Sequence, residues 1–175
     1  MMKIGIDISQ AAYRGTGVSK YLTSLIDELV KNDGVELVLF YSSLRNFSQI
    51  FQFERSNKVH MKRYPFPARL LDVLWNRLHI LPIELLIGNI DVFISSDWTQ
   101  PPVRRAKNAT ILYDLIVYKY PDETALAIVE TQKRKLEWVM KECDLLLCIS
   151  EATKNDAREL LHFPEDKLRV ISAGV

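Results

Sequence analysis

Apolar and polar positions change period several times along this chain. Ile4, Ile6 and Ile8 form a short apolar run broken only by Gly5 and Asp7, the pattern of a buried strand. Val18, Leu22, Leu25, Ile26 and Leu29 then recur at helical spacing. Asn32, Asp33 and Gly34 supply a turn, and VELVLFY (35–41) reads as a second strand. Residues 42–57 are polar with scattered Phe47, Phe51 and Phe53 and support no assignment, while KVHMKRY (58–64) fits a third strand. Pro65, Pro67 and Pro82 divide residues 64–89 into two short helical segments. In the first, Leu70, Leu71, Leu74, Trp75 and Leu78 share one face, and Arg69, Asp72, Asn76 and Arg77 lie elsewhere. IDVFISS (90–96) and NATILYDL (108–115) read as buried strands, the second ending near Tyr113 and Asp114. Residues 122–143 predict a helix. Its buried side is Ala125, Ile128, Val129, Gln132, Leu136, Val139 and Met140, with Lys133, Arg134, Lys135 and Glu137 outward. DLLLCIS (144–150) is another strand, and Ser150 stands where a helix over 151–161 needs its N-cap. Phe163-Pro164 halts that helix, and LRVI (168–171) is a last short strand before Ser172, Ala173, Gly174 and Val175.

Strands alternating with helices predict an α/β fold, a doubly wound and mostly parallel Rossmann-like sheet. Such sheets bind ligands at the carboxyl ends of their strands. Four loops fall there: residues 10–17, 95–102 and 113–121, and Ser150 with Glu151. The first contains Gly15, Thr16 and Gly17 immediately before a helix. Glycines let a ligand approach the backbone, and a helix start presents free amides and a positive dipole end. An anion or a sugar hydroxyl fits that chemistry; a plain turn with a good helix start fits the same residues. The third glycine of a dinucleotide fingerprint would fall at Lys20, and no acid ends the second strand. No Gly-Lys-Ser or Gly-Lys-Thr follows, so a P-loop is excluded too.

The 175 residues suffice for one domain, and 48% apolar content is globular. A net charge of +1 argues against a nucleic-acid partner. No apolar run approaches the roughly 18 residues of a membrane span. MMKIGID turns acidic before any long apolar region, so no signal peptide is expected. Cys143 and Cys148 flank a predicted strand at odd spacing, which puts them on opposite faces as small core residues. Neither a mutual disulfide nor a shared metal is expected, which fits a reducing cytoplasm. His60, His79 and His162 lack ligand spacing. Basic residues cluster around the segment 64–89: Lys58, Lys62, Arg63, Arg69, Arg77, Arg104, Arg105 and Lys107 against Asp72, Glu84, Asp91 and Asp97. That segment reads as helix packed on the sheet, with a membrane interface or a lipid-linked substrate surface as the rival reading.

Three stretches together resemble one family. IGIDISQAAYRGTGVSKYLTSLIDEL, ATILYDLIVYKYPDE and CDLLLCISEATKNDARELLHFPEDKLRVISAGV look like the amino-terminal half of glycosyltransferase family 4. These are retaining, nucleotide-sugar-dependent enzymes of the GT-B fold. The resemblance covers nearly the whole chain and is weakest over 43–89. It is most specific in the third stretch, where a strand ending in Ser, a helix, a Pro-Glu-Asp-Lys turn and a strand closing on Gly-Val follow in the family order.

The resemblance implies a two-domain hexosyltransferase whose acceptor-binding domain comes first. Residues 1–175 correspond to that single domain, one half of the GT-B fold. A carboxy-terminal domain with a two-glutamate motif would hold the donor, so this chain alone is expected to be nearly silent. Donor and acceptor would be a UDP- or GDP-sugar and a hydroxyl of a glycan, lipid or small molecule. No cofactor is implied beyond the nucleotide-sugar co-substrate. No metal is implied either, and no DxD motif is present. The expected location is the cytoplasm, with peripheral contact at the inner membrane face as a further expectation. Carried over by position, Gly15, Thr16 and Gly17 would face the donor diphosphate and sugar. Tyr113 and Asp114 match the family's catalytic His-Asp pair with the histidine replaced. Ser150 and Glu151 border the cleft, and Asp97 lies in the loop lining the acceptor pocket. Plain structural readings stand beside these: Tyr113 finishing a strand, Asp114 tying a turn, Ser150 capping a helix, Asp97 an exposed loop acid. A catalytically silent binding or scaffold module with the same fold is the alternative function.

Overall fold

The computed structural model describes residues 1–12, 15–44, 56–95 and 97–172. Phe47, Phe51, Phe53 and the closing Gly174-Val175 lie outside the described residues. Seven strands form one sheet in the order β3-β2-β1-β4-β5-β6-β7. They are β1 (Met2–Asp7), β2 (Val35–Ser42), β3 (Val59–Tyr64), β4 (Val92–Ser95), β5 (Lys107–Leu112), β6 (Leu145–Cys148) and β7 (Leu168–Val170). Every adjacent pair is parallel, so the expected doubly wound sheet is present and is parallel throughout. The chain winds outward from β1 to β3, returns beside β1 as β4, and winds the other way to β7. The switch point therefore lies between β1 and β4, where Ile6 sits beside Ile94 on one side and Leu39 on the other.

The helices are α1 (Gly17–Val30), α2 (Ala68–Leu71), α3 (Glu84–Ile87), α4 (Ile116–Lys119), α5 (Leu126–Glu142) and α6 (Glu151–Leu160). Burial on both sheet faces explains the continuous apolar strands. In β2, Leu37, Leu39 and Tyr41 join α1's Tyr21, Leu22 and Ile26, while Val38 and Phe40 pack with Leu71, Trp75 and Phe93. Gly5 lies where that second layer presses on β1. A Cβ there would sit 2.7 Å from Ile87 Cδ1 and 2.9 Å from Ile90 Cδ1.

Three expectations need correcting. The first concerns the segment after Pro67, where α2 continues as a π-helix over Asp72–Arg77. Its signature is the Leu78 amide donating to the Val73 carbonyl, five residues back. The extra residue per turn swings Asn76 into the interior and leaves Leu78 58% exposed, displacing the apolar face that α-helical spacing predicts. Second, α5 starts at Leu126, because Pro121–Glu123 forms a separate 3-10 turn and Ala125 precedes the helix. Val129, Leu136 and Val139 are buried as expected, but Ala125, Ile128 and Met140 are exposed, and Lys135 is 1% exposed. Third, Cys143 caps α5 instead of entering β6, so it shares one cluster with Cys148. Both thiols are free, and burial pushes them up to about 12 and about 11.

Candidate functional site

All strands being parallel, the loops after β1, β4, β5 and β6 emerge along one edge. The loop after β1 passes through a 3-10 turn, Ser9–Ala12, to Gly15 at φ +81°. That left-handed conformation is the one glycine adopts without penalty. Thr16 is the N-cap of α1, its hydroxyl accepting from the Ser19 amide at 3.2 Å. Gly15, Thr16 and Gly17 are exposed, and among the described residues nothing beyond the adjoining chain comes within 4 Å of a Cβ placed on either glycine. Open backbone thus lies at the positive end of a 14-residue helix.

The loop after β4 is held by a buried polar network. The Ser95 hydroxyl lies 2.5 Å from Gln100 Oε1 and 2.6 Å from Thr110 Oγ1. Gln100 Nε2 donates to Asn108 Oδ1 at 3.0 Å. Asn76 donates to the Trp98 carbonyl at 2.9 Å and accepts from the Gln100 amide at 3.0 Å. Asp97 rides on this fixed loop, half-buried, and accepts from Gln132 Nε2 of α5 at 3.3 Å. Burial pushes its carboxyl up; the charge of Lys135 and the Gln132 bond oppose that, and the charge of Asp114 adds to it.

Tyr113 and Asp114 follow β5 and part company. Tyr113 is buried, its ring edge-on to Tyr21 at 5.7 Å between centroids. Its carbonyl accepts from Thr153 Oγ1 at 3.2 Å. Asp114 is exposed, and its Oδ1 takes the Ile116 amide at 3.1 Å, which ties the turn into α4. Ser150 is the N-cap of α6, accepting from the Thr153 amide at 3.1 Å, and Glu151 is exposed in its first turn. The fold therefore gathers Gly15, Thr16, Gly17, Asp97, Asp114, Ser150 and Glu151 along one rim. The side chain of Tyr113 belongs instead to the layer beneath.

Two charged residues under that rim escape a sequence reading. Asp7, at the end of β1, is 5% exposed; its Oδ1 accepts the Ser9 amide at 2.9 Å. Burial pushes its carboxyl up against the Ser9 bonds and the charge of Lys135. Lys135 is pushed down by burial and held up by Asp97, Cys143 and Asp7. The signals were present: Asp7 is the one charge inside an apolar run, and Lys135 stands three residues from Gln132 on the inward stripe. Among the described residues no group of three or more His, Cys, Asp or Glu could hold a metal ion.

The family described as Glycosyltransferase Family 4 matches residues 15–175. No curated protein matches the chain significantly. One similar solved structure is titled "alpha-glucosyltransferase (AGT) in complex with UDP", at TM-score 0.50 and 15% identity. The superposition covers 92% of this chain and 38% of that one, and at this identity it speaks for the shared fold alone.

Proposed function

The chain belongs to glycosyltransferase family 4, and from that membership we propose that it is the acceptor-binding domain of a retaining transferase. The reaction moves a sugar from a UDP- or GDP-sugar to a hydroxyl of a glycan, lipid or small molecule, with anomeric configuration kept. One observation carries the reading: the exposed Gly15-Thr16-Gly17 stretch lies at the start of α1, beside the switch point of the sheet. The similar solved structure spans far more chain than this one, so a second lobe gripping the nucleotide is part of the proposal.

In this reading the diphosphate of the donor lies against the glycine loop. Backbone amides and the α1 dipole stabilise the charge that grows as the nucleotide diphosphate leaves. A single preorganised donor of this kind is worth about 3 kcal/mol of barrier. Asp97 and Asp114, on the same rim, accept hydrogen bonds from acceptor hydroxyls. Exposed Leu78, Ile80 and Leu85 beside Arg77 support peripheral contact with a membrane that carries a lipid acceptor; no described helix is long and apolar enough to cross one.

The burial of Tyr113, where the resemblance implies a histidine near the reacting sugar, favours a second reading, a silent binding module. Both are tested with the full-length protein, UDP-glucose or GDP-mannose, and labelled acceptors. The transferase reading expects product with retained configuration and its loss in Gly17→Trp. Transfer that survives Gly17→Trp removes the glycine loop from the mechanism. Acceptor binding without any transfer by the unaltered protein establishes the silent module.

A further inference from the structure

Lys135 is a lysine on a core-facing position of α5, with 1% of its surface exposed. Burying an ammonium costs several kcal/mol unless charge compensates it. The compensating charges are those of two carboxylates: Asp7 at the end of β1, and Asp97 in the loop after β4, which is already bound at 3.3 Å by Gln132, one turn before Lys135 on the same helix. Asp114, in the loop after β5, acts on the same cluster through Asp97. Among the described residues no hydrogen bond reaches the Lys135 ammonium, so its hold on the carboxylates is through space. Asp7 is engaged by Ser9. Asp97 is different. A carboxylate offers about four acceptor positions, and among the described residues the hydrogen bond to Asp97 is one amide hydrogen of Gln132 at 3.3 Å. Half-buried on a loop fixed by Asn76 and Gln100, Asp97 keeps acceptor capacity at the rim beyond the one bond it makes among the described residues.

We propose that Lys135 is a positioning residue that holds Asp97 as a charged acceptor for a hydroxyl of the sugar-accepting substrate, a role that rests on the transferase reading above. Lys135 touches no substrate. It supplies the positive charge that lets a desolvated carboxylate stay ionised at the cleft edge, where its remaining lone pairs orient the incoming hydroxyl. Asp114, the other acid on the rim, is exposed and takes the amide of its own turn, so the desolvated acceptor that needs a buried ammonium is Asp97.

The test has two arms. In carboxyl-13C NMR titrations of this chain, Asp97 loses its proton at higher pH in Lys135→Met than in the unaltered protein, and Lys135→Arg restores it. In Asp97→Asn, which keeps the buried lysine in place, Lys135 loses its proton at lower pH. An Asp97 titration that ignores Lys135→Met, or a Lys135 titration that ignores Asp97→Asn, overturns the proposal even if one variant does not fold. In transfer assays on the full-length protein, Lys135→Met raises the acceptor KM about tenfold, the size of one charge-assisted hydrogen bond, and leaves the donor KM unchanged. The loss shrinks as pH rises and Asp97 ionises, and combining it with Asp97→Asn adds nothing. Additive losses, or an equal rise in the donor KM, overturn it. A protein that transfers no sugar under any condition sinks the transferase reading and the acceptor role with it, while the NMR arm still decides whether Lys135 governs Asp97.

Discussion

Asn76 donates a hydrogen bond to the Trp98 carbonyl at 2.9 Å, joining the π-helix to the loop that carries Asp97. The same side chain accepts from the Gln100 amide at 3.0 Å and donates to Asp72 Oδ1 at 3.0 Å. Only a helix wound by one extra residue presents an asparagine inward at this place, between the buried Trp75 and the exposed Arg77. The irregular turn thereby becomes the support of a functional loop.

Asn76→Leu keeps the volume close and removes every one of these bonds. The Gln100 amide is then left buried without its acceptor, a cost of about 1–3 kcal/mol per stranded group. Denaturant unfolding is expected to show a loss of that order. Amide exchange should quicken at Trp98 through Gln100 before it quickens in β4. Unchanged exchange in the loop would show that Ser95 and Thr110 hold it without Asn76.

Gly15 and Gly17 separate what the backbone needs from what a ligand needs. Gly15 holds φ at +81°, so Gly15→Ala costs about 1–2 kcal/mol of stability from strain alone. Gly17 has ordinary helical geometry and open space around it, so Gly17→Ala leaves stability unchanged or raises it by about 0.5–1 kcal/mol. If Gly17 exists for close approach of a diphosphate, Gly17→Ala binds the donor more weakly in a protein that melts no lower. Calorimetry of nucleotide binding beside a thermal melt reads the two separately.

Gly5 is small because the layer of α3 and β4 leaves it no room. Gly5→Val pushes a branched side chain into Ile87, Ile90 and Phe93, at distances of 2.7, 2.9 and 3.1 Å from the position of its Cβ. Overpacking of this kind costs about 1–3 kcal/mol, and the midpoint of urea unfolding should fall accordingly. The sheet edge and the glycine loop lie beyond the disturbed layer, so donor affinity of the folded variant should stay as it was.

The sheet was legible because strands buried on both faces spell themselves as unbroken apolar runs, and VELVLFY and DLLLCIS leave no helical alternative of comparable quality. The cap at Ser150 was legible as well: its hydroxyl accepts the amide three residues on, and Thr16 does the same at the start of α1. The π-helix was not, since its extra residue changes the period without leaving a mark in composition. Lys135 was hidden by its own residue type. Spacing put it beside Gln132 and Leu136 on the inward stripe, and charge argued for the opposite side; its burial, with the charges of Asp97 and Asp7 acting on it, is a tertiary fact that neither pattern contains. Tyr113 lies at the right place in the chain, but only the packing against Tyr21 shows that its ring turns inward.

The buried acids set a pH dependence whose sign follows from their environment. Asp7 holds its proton more tightly in the folded chain than in the unfolded one, because burial outweighs the Ser9 bonds and the nearby ammonium. Between its ordinary value of 3.8 and the raised one, the folded state binds more protons. The contribution of Asp7 to stability is therefore fully present below that ordinary value and is lost as pH rises through the raised one. Lys135 runs the other way at the alkaline end. Its folded affinity for the proton is depressed, so its burdensome charge is relieved as pH climbs toward its ordinary 10.5. Asp33, Asp144 and Glu165 are held down by ion pairs or amides and tilt the acid limb in the opposite direction, so the parent curve alone is a mixture. The difference between Asp7→Asn and the parent isolates the one group. The asparagine keeps an oxygen for the Ser9 amide and has no charge to bury. Its melting temperature relative to the parent should climb as pH rises from about 3 toward neutrality, then level off once Asp7 of the parent is ionised. A difference that stays flat across that range would mean that Lys135 and Ser9 fully offset the burial of Asp7.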